Sequence, residues 1–150
     1  MRFLISTIKI TNDLERIGDL ARDITQLVIS NNGERRERII DFAALTAKVR
    51  WMVRKGLEAM IALDSETARD VCNSDDEVDE QFRLIKEKVI SELEKGNSNV
   101  RALITKLTIS DYMKSIADHA KKIREDVVYT VDAEVIRHSS LVDTPKNLSS

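Results

Sequence analysis

The chain carries one stretch twice. Residues 13–24 read Asp-Leu-Glu-Arg-Ile-Gly-Asp-Leu-Ala-Arg-Asp-Ile, and residues 112–123, 99 positions later, read Tyr-Met-Lys-Ser-Ile-Ala-Asp-His-Ala-Lys-Lys-Ile. The register holds on both sides: Arg2 matches Arg101, Leu4 matches Leu103, Ile5 matches Ile104 and Val28 matches Val127. An internal repeat of this length marks a duplicated helical unit. The two copies can be compared position by position, and two acidic positions have changed sign: Glu15 corresponds to Lys114 and Asp23 to Lys122.

Apolar residues recur at steps of three and four almost throughout, the spacing of a helix with one buried stripe. Four segments follow. In the first, Leu14, Ile17, Ala21, Ile24 and Val28 lie on one stripe, which ends at Asn31-Asn32-Gly33, residues that tolerate a left-handed helix stop. The second, about 35–63, carries Phe42, Leu45, Val49, Met52, Gly56, Ala59 and Leu63, with Asp64-Ser65 as a capping pair beyond it. The third, about 66–95, carries Val71, Val78, Phe82, Ile85 and Val89, and breaks at Gly96-Asn97-Ser98, with Ser98 as the expected N-cap of the next segment. The fourth, about 99–132, carries Leu103, Leu107, Met113, Ile116, Ala120, Ile123 and Val127. Short connections force successive helices to run antiparallel. The fold class expected is all-α, a bundle of four long antiparallel helices.

Composition agrees with that architecture. A third of the residues are charged, few are aromatic, and there is one proline, Pro145, in a polar stretch from 139 to 150 read as a disordered tail. The formal net charge of -2 holds no basic excess that would suit a nucleic acid. The single cysteine, Cys72, cannot form an internal disulfide and fits a reducing compartment as an inert thiol. No apolar run approaches membrane-spanning length. A cytoplasmic protein is expected. No phosphate-cradling glycine loop and no nucleophile elbow occurs in the sequence, so no catalytic constellation is found.

The carboxylates are the candidate functional groups. Glu15, Asp19 and Asp23 stand at i, i+4 and i+8, one stripe of a helix. Asp75 and Asp79 form a second i, i+4 pair, with Asp75 where the apolar stripe of the third segment calls for a core residue. A buried carboxylate is costly unless it is paired or ligates a cation. Two readings stay open: facing carboxylate pairs that chelate a hard cation or iron, or an acidic helix start favoured by the helix dipole. In the second copy the stripe becomes Lys114-Asp118-Lys122. Lys114 can pair with Asp118 along its own helix, or reach Asp75 or Asp79 on the neighbouring one. His119 reads as a surface or bundle-edge histidine, His138 as a solvated helix end, Glu34 to Arg38 as an exposed face of alternating charge, and Trp51 with Met52 as core or interface.

The segment 13–24 resembles the signature of the PhoU family of phosphate-uptake regulators, which are built from two three-helix repeats. Glu15 and Asp19 match the motif on the third helix of the first repeat. Asp75 and Asp79 match the second-helix motif of the second repeat, and Asp118 the last motif, in which Lys114 replaces an acid. The resemblance runs to about residue 138. It implies that residues 1–32 are the third helix of the first repeat and 35–138 the whole second repeat, with the first two family helices absent. The orphaned stripe of the first helix must then be covered within a four-helix bundle or by a helix-exchanged homodimer. The resemblance further implies iron or zinc at the paired carboxylates, and a regulator of phosphate transport and phosphate-starvation signalling that binds the phosphate importer's ATPase subunit and a sensor histidine kinase. Two other roles are compatible with these residues: the soluble PhoU-like module of a sodium–phosphate cotransporter, and a carboxylate-bridged metal-binding bundle.

Overall fold

The computed structural model describes residues 2–30, 40–63, 74–96 and 99–142, except the side chains of 2–3, 74–75 and 132–142. Four helices account for them: α1 (Arg2–Ser30), α2 (Ala43–Ala62), α3 (Ser74–Glu94) and α4 (Val100–Val142). No strand occurs among the described residues, and the all-α bundle expected from the stripes is what forms.

The longest helix is the hub. α1, α2 and α3 all pack on α4, and α2 also packs on α3. Asp13 lies beside His119 and Lys9 beside Asp126, so α1 runs antiparallel to α4. Thr46 meets Met113 and Gly56 meets Ala120 and Ile123, so α2 runs in the same direction as α4. The main core joins Leu45, Val49 and Met52 of α2, Val78, Ile85 and Val89 of α3, and Leu103, Ile116, Ala117 and Ala120 of α4. All but Ala117 are positions that the three- and four-residue steps select; Ala117 is buried as well because three helices pack on α4, which covers more than one stripe of it. A second cluster ties the start of α1 to the far end of the bundle through Ile10, Ala59, Ile123 and Val127.

The duplicated stretches are buried unequally. In the second copy Leu103 and Val127 are each 1% exposed, while their counterparts Leu4 and Val28 on α1 are 63% and 52% exposed. The same sequence pattern is thus enclosed on three sides in α4 and docked on one side in α1. Leu14, Ile17, Leu20 and Ile24 supply the docked side and are partly buried against the two clusters.

Helix ends differ from the sequence reading at three places, each for a local reason. α2 begins at Ala43 rather than near residue 35, because the carboxylate of Asp41 accepts the Ala43 N–H at 2.9 Å in an Asx turn that fixes the entry to the helix. α4 is capped by Asn99, whose side-chain oxygen accepts the Ala102 N–H at 3.2 Å; Ser98, the expected cap, lies outside the described residues. α4 also continues to Val142, so residues 139–142 of the expected tail are helical. The expected break at Gly96 is present, with φ of 74° at the end of α3. The stop at Asn31-Asn32-Gly33, the run Glu34 to Arg38, the pair Asp64-Ser65, Val71 and Cys72, Pro145 and the rest of the tail from 143 lie outside the described residues.

Candidate functional site

Among the described residues, the site residues expected from the sequence do not gather into one group. Glu15 is exposed on α1, and Asp19 lies 3.4 Å from the guanidinium of Arg22, which also reaches Asp23 at 3.6 Å. The α1 stripe of carboxylates is therefore interrupted by a cation from its own helix. Asp79 on α3 and Asp118 on α4 do meet, through Lys114. The Lys114 ammonium donates to Asp79 across the α3–α4 seam and stands 3.7 Å from Asp118 one turn along α4. Both contacts open to Lys114 in the sequence are thus made at once, a geometry that needs α3 and α4 in their observed register. The side chain of Asp75 lies outside the described residues.

This arrangement bears on iron or zinc. An ammonium already bridges Asp79 and Asp118, one carboxylate from each of the two helices. Among the described residues no three His, Cys, Asp or Glu side chains come together as ligands of one ion. The described carboxylates do not fit a metal cluster, and Lys114 supplies the positive charge there itself. Lys114→Glu would place three carboxylates at the seam. We expect it to cost about 1 kcal/mol at low salt through like-charge repulsion. Added Mn²⁺, a hard ion that prefers oxygen ligands, should restore the loss. The check is thermal unfolding with Mn²⁺ or EDTA, to which the unsubstituted protein should be indifferent.

A second polar contact joins α1 to α4. His119 Nδ1 lies 2.7 Å from Asp13 Oδ1, with the two side chains 18% and 15% exposed. A half-buried polar pair of this kind fixes register, because removing one member strands the other. The sequence places His119 at the bundle edge, which is where it is, but gives no sign of Asp13. Lys9 and Asp126, 3.6 Å apart, add a more exposed contact on the same seam.

The open surfaces are apolar. A groove of about 560 Å³ runs between α1 and α2 with Met113 and Ile116 of α4 at its base. A smaller one of about 270 Å³ lies at the other end of α1, near Ile10, Leu14 and Met60. Leu4, Ile5 and Ile8 of α1 are exposed. Trp51 is 38% exposed, one residue off the buried stripe that Met52 occupies, and the Lys48 ammonium sits 5.2 Å from its ring centroid. On α3, Arg83 forks between Glu80 and Glu87 and holds the Glu80 carboxyl below its usual range.

The structure is a helical bundle with a duplicated unit, an ion-paired acidic seam and open apolar grooves. The sequence of the bundle assigns its kind. Residues 42–127 match the PhoU domain family, and the chain belongs to that family. The similarity extends further along the chain in individual relatives. It is 28% identical over 137 residues to the phosphate-specific transport system accessory protein PhoU homolog of Clostridium acetobutylicum, covering 91% of this chain and 63% of that protein. It is 28% identical over 143 residues to the Pseudomonas putida homolog, covering 94% and 56%. With homolog 1 of Thermotoga maritima it shares 27% over 131 residues, covering 86% and 56%. The chain spans about six-tenths of the length of the curated relatives it matches. No helix among the described residues is long and apolar enough to cross a membrane.

Proposed function

We propose that this chain is a cytoplasmic regulator of phosphate transport and of phosphate-starvation signalling, acting by binding to proteins and performing no chemistry of its own. Its partners in this reading are the ATPase subunit of a phosphate importer and a sensor histidine kinase. The observation that carries the reading is the open apolar surface of α1 and α2 in a member of a family whose matched relatives are named as accessory proteins of phosphate-specific transport systems. Large apolar grooves on a helical bundle are where partner helices dock. A homodimer belongs to the same proposal, with the exposed Leu4, Ile5 and Ile8 of two copies covering each other about a two-fold axis.

The test is direct binding. Purified chain is titrated into the importer's ATPase subunit and into the cytoplasmic part of the sensor kinase, with light scattering on the same sample to read the dimer. Saturable binding with Kd of about 1–10 μM, ordinary for a transient interface, is expected for at least one of them. No binding to either at about 50 μM, well above that range, would remove the reading.

A further inference from the structure

We infer that the seam between α3 and α4, at the end where a short turn joins them, is a docking site for one amphipathic helix of a partner protein. Four aliphatic side chains build it: Ile90 and Leu93 on α3, 45% and 37% exposed, and Val100 and Ile104 on α4, 46% and 54% exposed. The ion bridge fixes where they lie, because Lys114 of α4 donates to Asp79 of α3 across this seam. Ile90 and Leu93 follow Asp79 by 11 and 14 residues, and Ile104 and Val100 precede Lys114 by 10 and 14. Each interval is close to a whole number of helical turns, so all four keep to the side of the bridge. Their neighbours Val89 and Leu103 are buried in the core between the same helices.

The repeat shows that this exposure belongs to the position. Ile104 corresponds to Ile5 in the first copy, and the two are 54% and 50% exposed. The adjacent pair behaves otherwise: Leu103 is 1% exposed and its counterpart Leu4 is 63% exposed. Packing α2 and α3 on the second copy thus buries the leucine position and leaves the isoleucine position open. Both helices that form the seam are present, so its exposure does not depend on what covers α1.

Size and charge select the occupant. Four half-exposed aliphatic side chains offer on the order of 300 Å² of apolar surface, against the about 800 Å² that each partner gives to a stable dimer. A second copy is therefore a poor fit. A single helix with leucines at i, i+4 and i+7 inserts a row of this size along the line between two helices. The exposed charges next to the patch balance, Lys86 and Arg101 against Glu94 and Asp111. The site thus reads an aliphatic stripe on its partner rather than a charge pattern, and its affinity is nearly independent of salt.

A synthetic helical peptide with a leucine stripe between glutamine flanks tests this, beside a control peptide with alanines in the stripe. Each is titrated into the folded chain by fluorescence anisotropy. The leucine peptide is also titrated into chain with labelled isoleucine methyl groups and followed by NMR. It should bind at least about tenfold tighter than the control, change affinity less than about twofold between low and high salt, and shift the methyl signals of Ile90 and Ile104. The exposed double substitution Ile90→Lys/Ile104→Lys should weaken it about tenfold. Circular dichroism verifies that the variant folds, and the methyl shifts of the unsubstituted chain stand without it. Ile90 and Ile104 signals that stay in place, an affinity that the substitution leaves unchanged, or light scattering showing a dimer that the substitution dissociates would each overturn the inference. The last outcome would assign the patch to a second copy. None of these outcomes depends on whether the importer or the kinase binds.

Discussion

Leu103→Ala should lower the free energy of unfolding by about 3 kcal/mol, and Leu4→Ala by less than about 0.5 kcal/mol. The two leucines hold the same place in the duplicated unit, at the same distance before the shared motif. The residue type and the atoms removed are the same, so a difference between them reads tertiary packing. Leu103 is 1% exposed in the core shared by α2, α3 and α4, and truncating it leaves a cavity that a bundle of long helices cannot collapse around. Leu4 is 63% exposed and loses little on truncation. Urea unfolding followed by circular dichroism measures both. Equal costs would mean that the two copies are buried alike.

The second large effect is at Gly56. Its position on the α2 stripe faces α4 so closely that a Cβ would meet the Ala120 carbonyl oxygen at 3.4 Å and the Ile123 side chain at 3.8 Å. An alanine there makes ordinary contact and gains helix propensity, so Gly56→Ala should change stability by no more than about 0.5 kcal/mol. A leucine must push α2 from α4, and Gly56→Leu should cost about 2–3 kcal/mol. The same urea experiment separates them. A leucine as well tolerated as alanine would contradict the close crossing of α2 and α4.

Much of the bundle is legible in the spacing of its apolar residues. The stripes select Leu45, Val49, Met52, Val78, Ile85, Leu103 and Ile116 as core because helical spacing alone decides which side chains share a face. Helix ends are less legible. Asp41 and Asn99 set the starts of α2 and α4 through single hydrogen bonds, and Ser98 is by residue type an equally suitable cap. The carboxylates show where local pattern runs out. The i, i+4 spacing of Lys114 and Asp118 is written in the sequence; that Asp79 joins them depends on the α3–α4 register. Asp13 and His119 lie 106 residues apart and align in the repeat with Tyr112 and Leu20, so neither copy hints at their contact. The groove has a signal in the repeat, the stripe at Ile17, Ala21 and Ile24. Only burial in the folded chain tells which of the two copies is covered.

The central claim is that α1 is one copy of a duplicated helix, docked antiparallel on the other in a single register. A double-mutant cycle on Asp13 and His119 tests it most directly, because the pair forms only in that register. Asp13→Ala, His119→Ala and the double substitution should give a coupling of about 1 kcal/mol in unfolding free energy. Additive single effects, with a coupling indistinguishable from zero, would mean that α1 does not lie on α4 in this register.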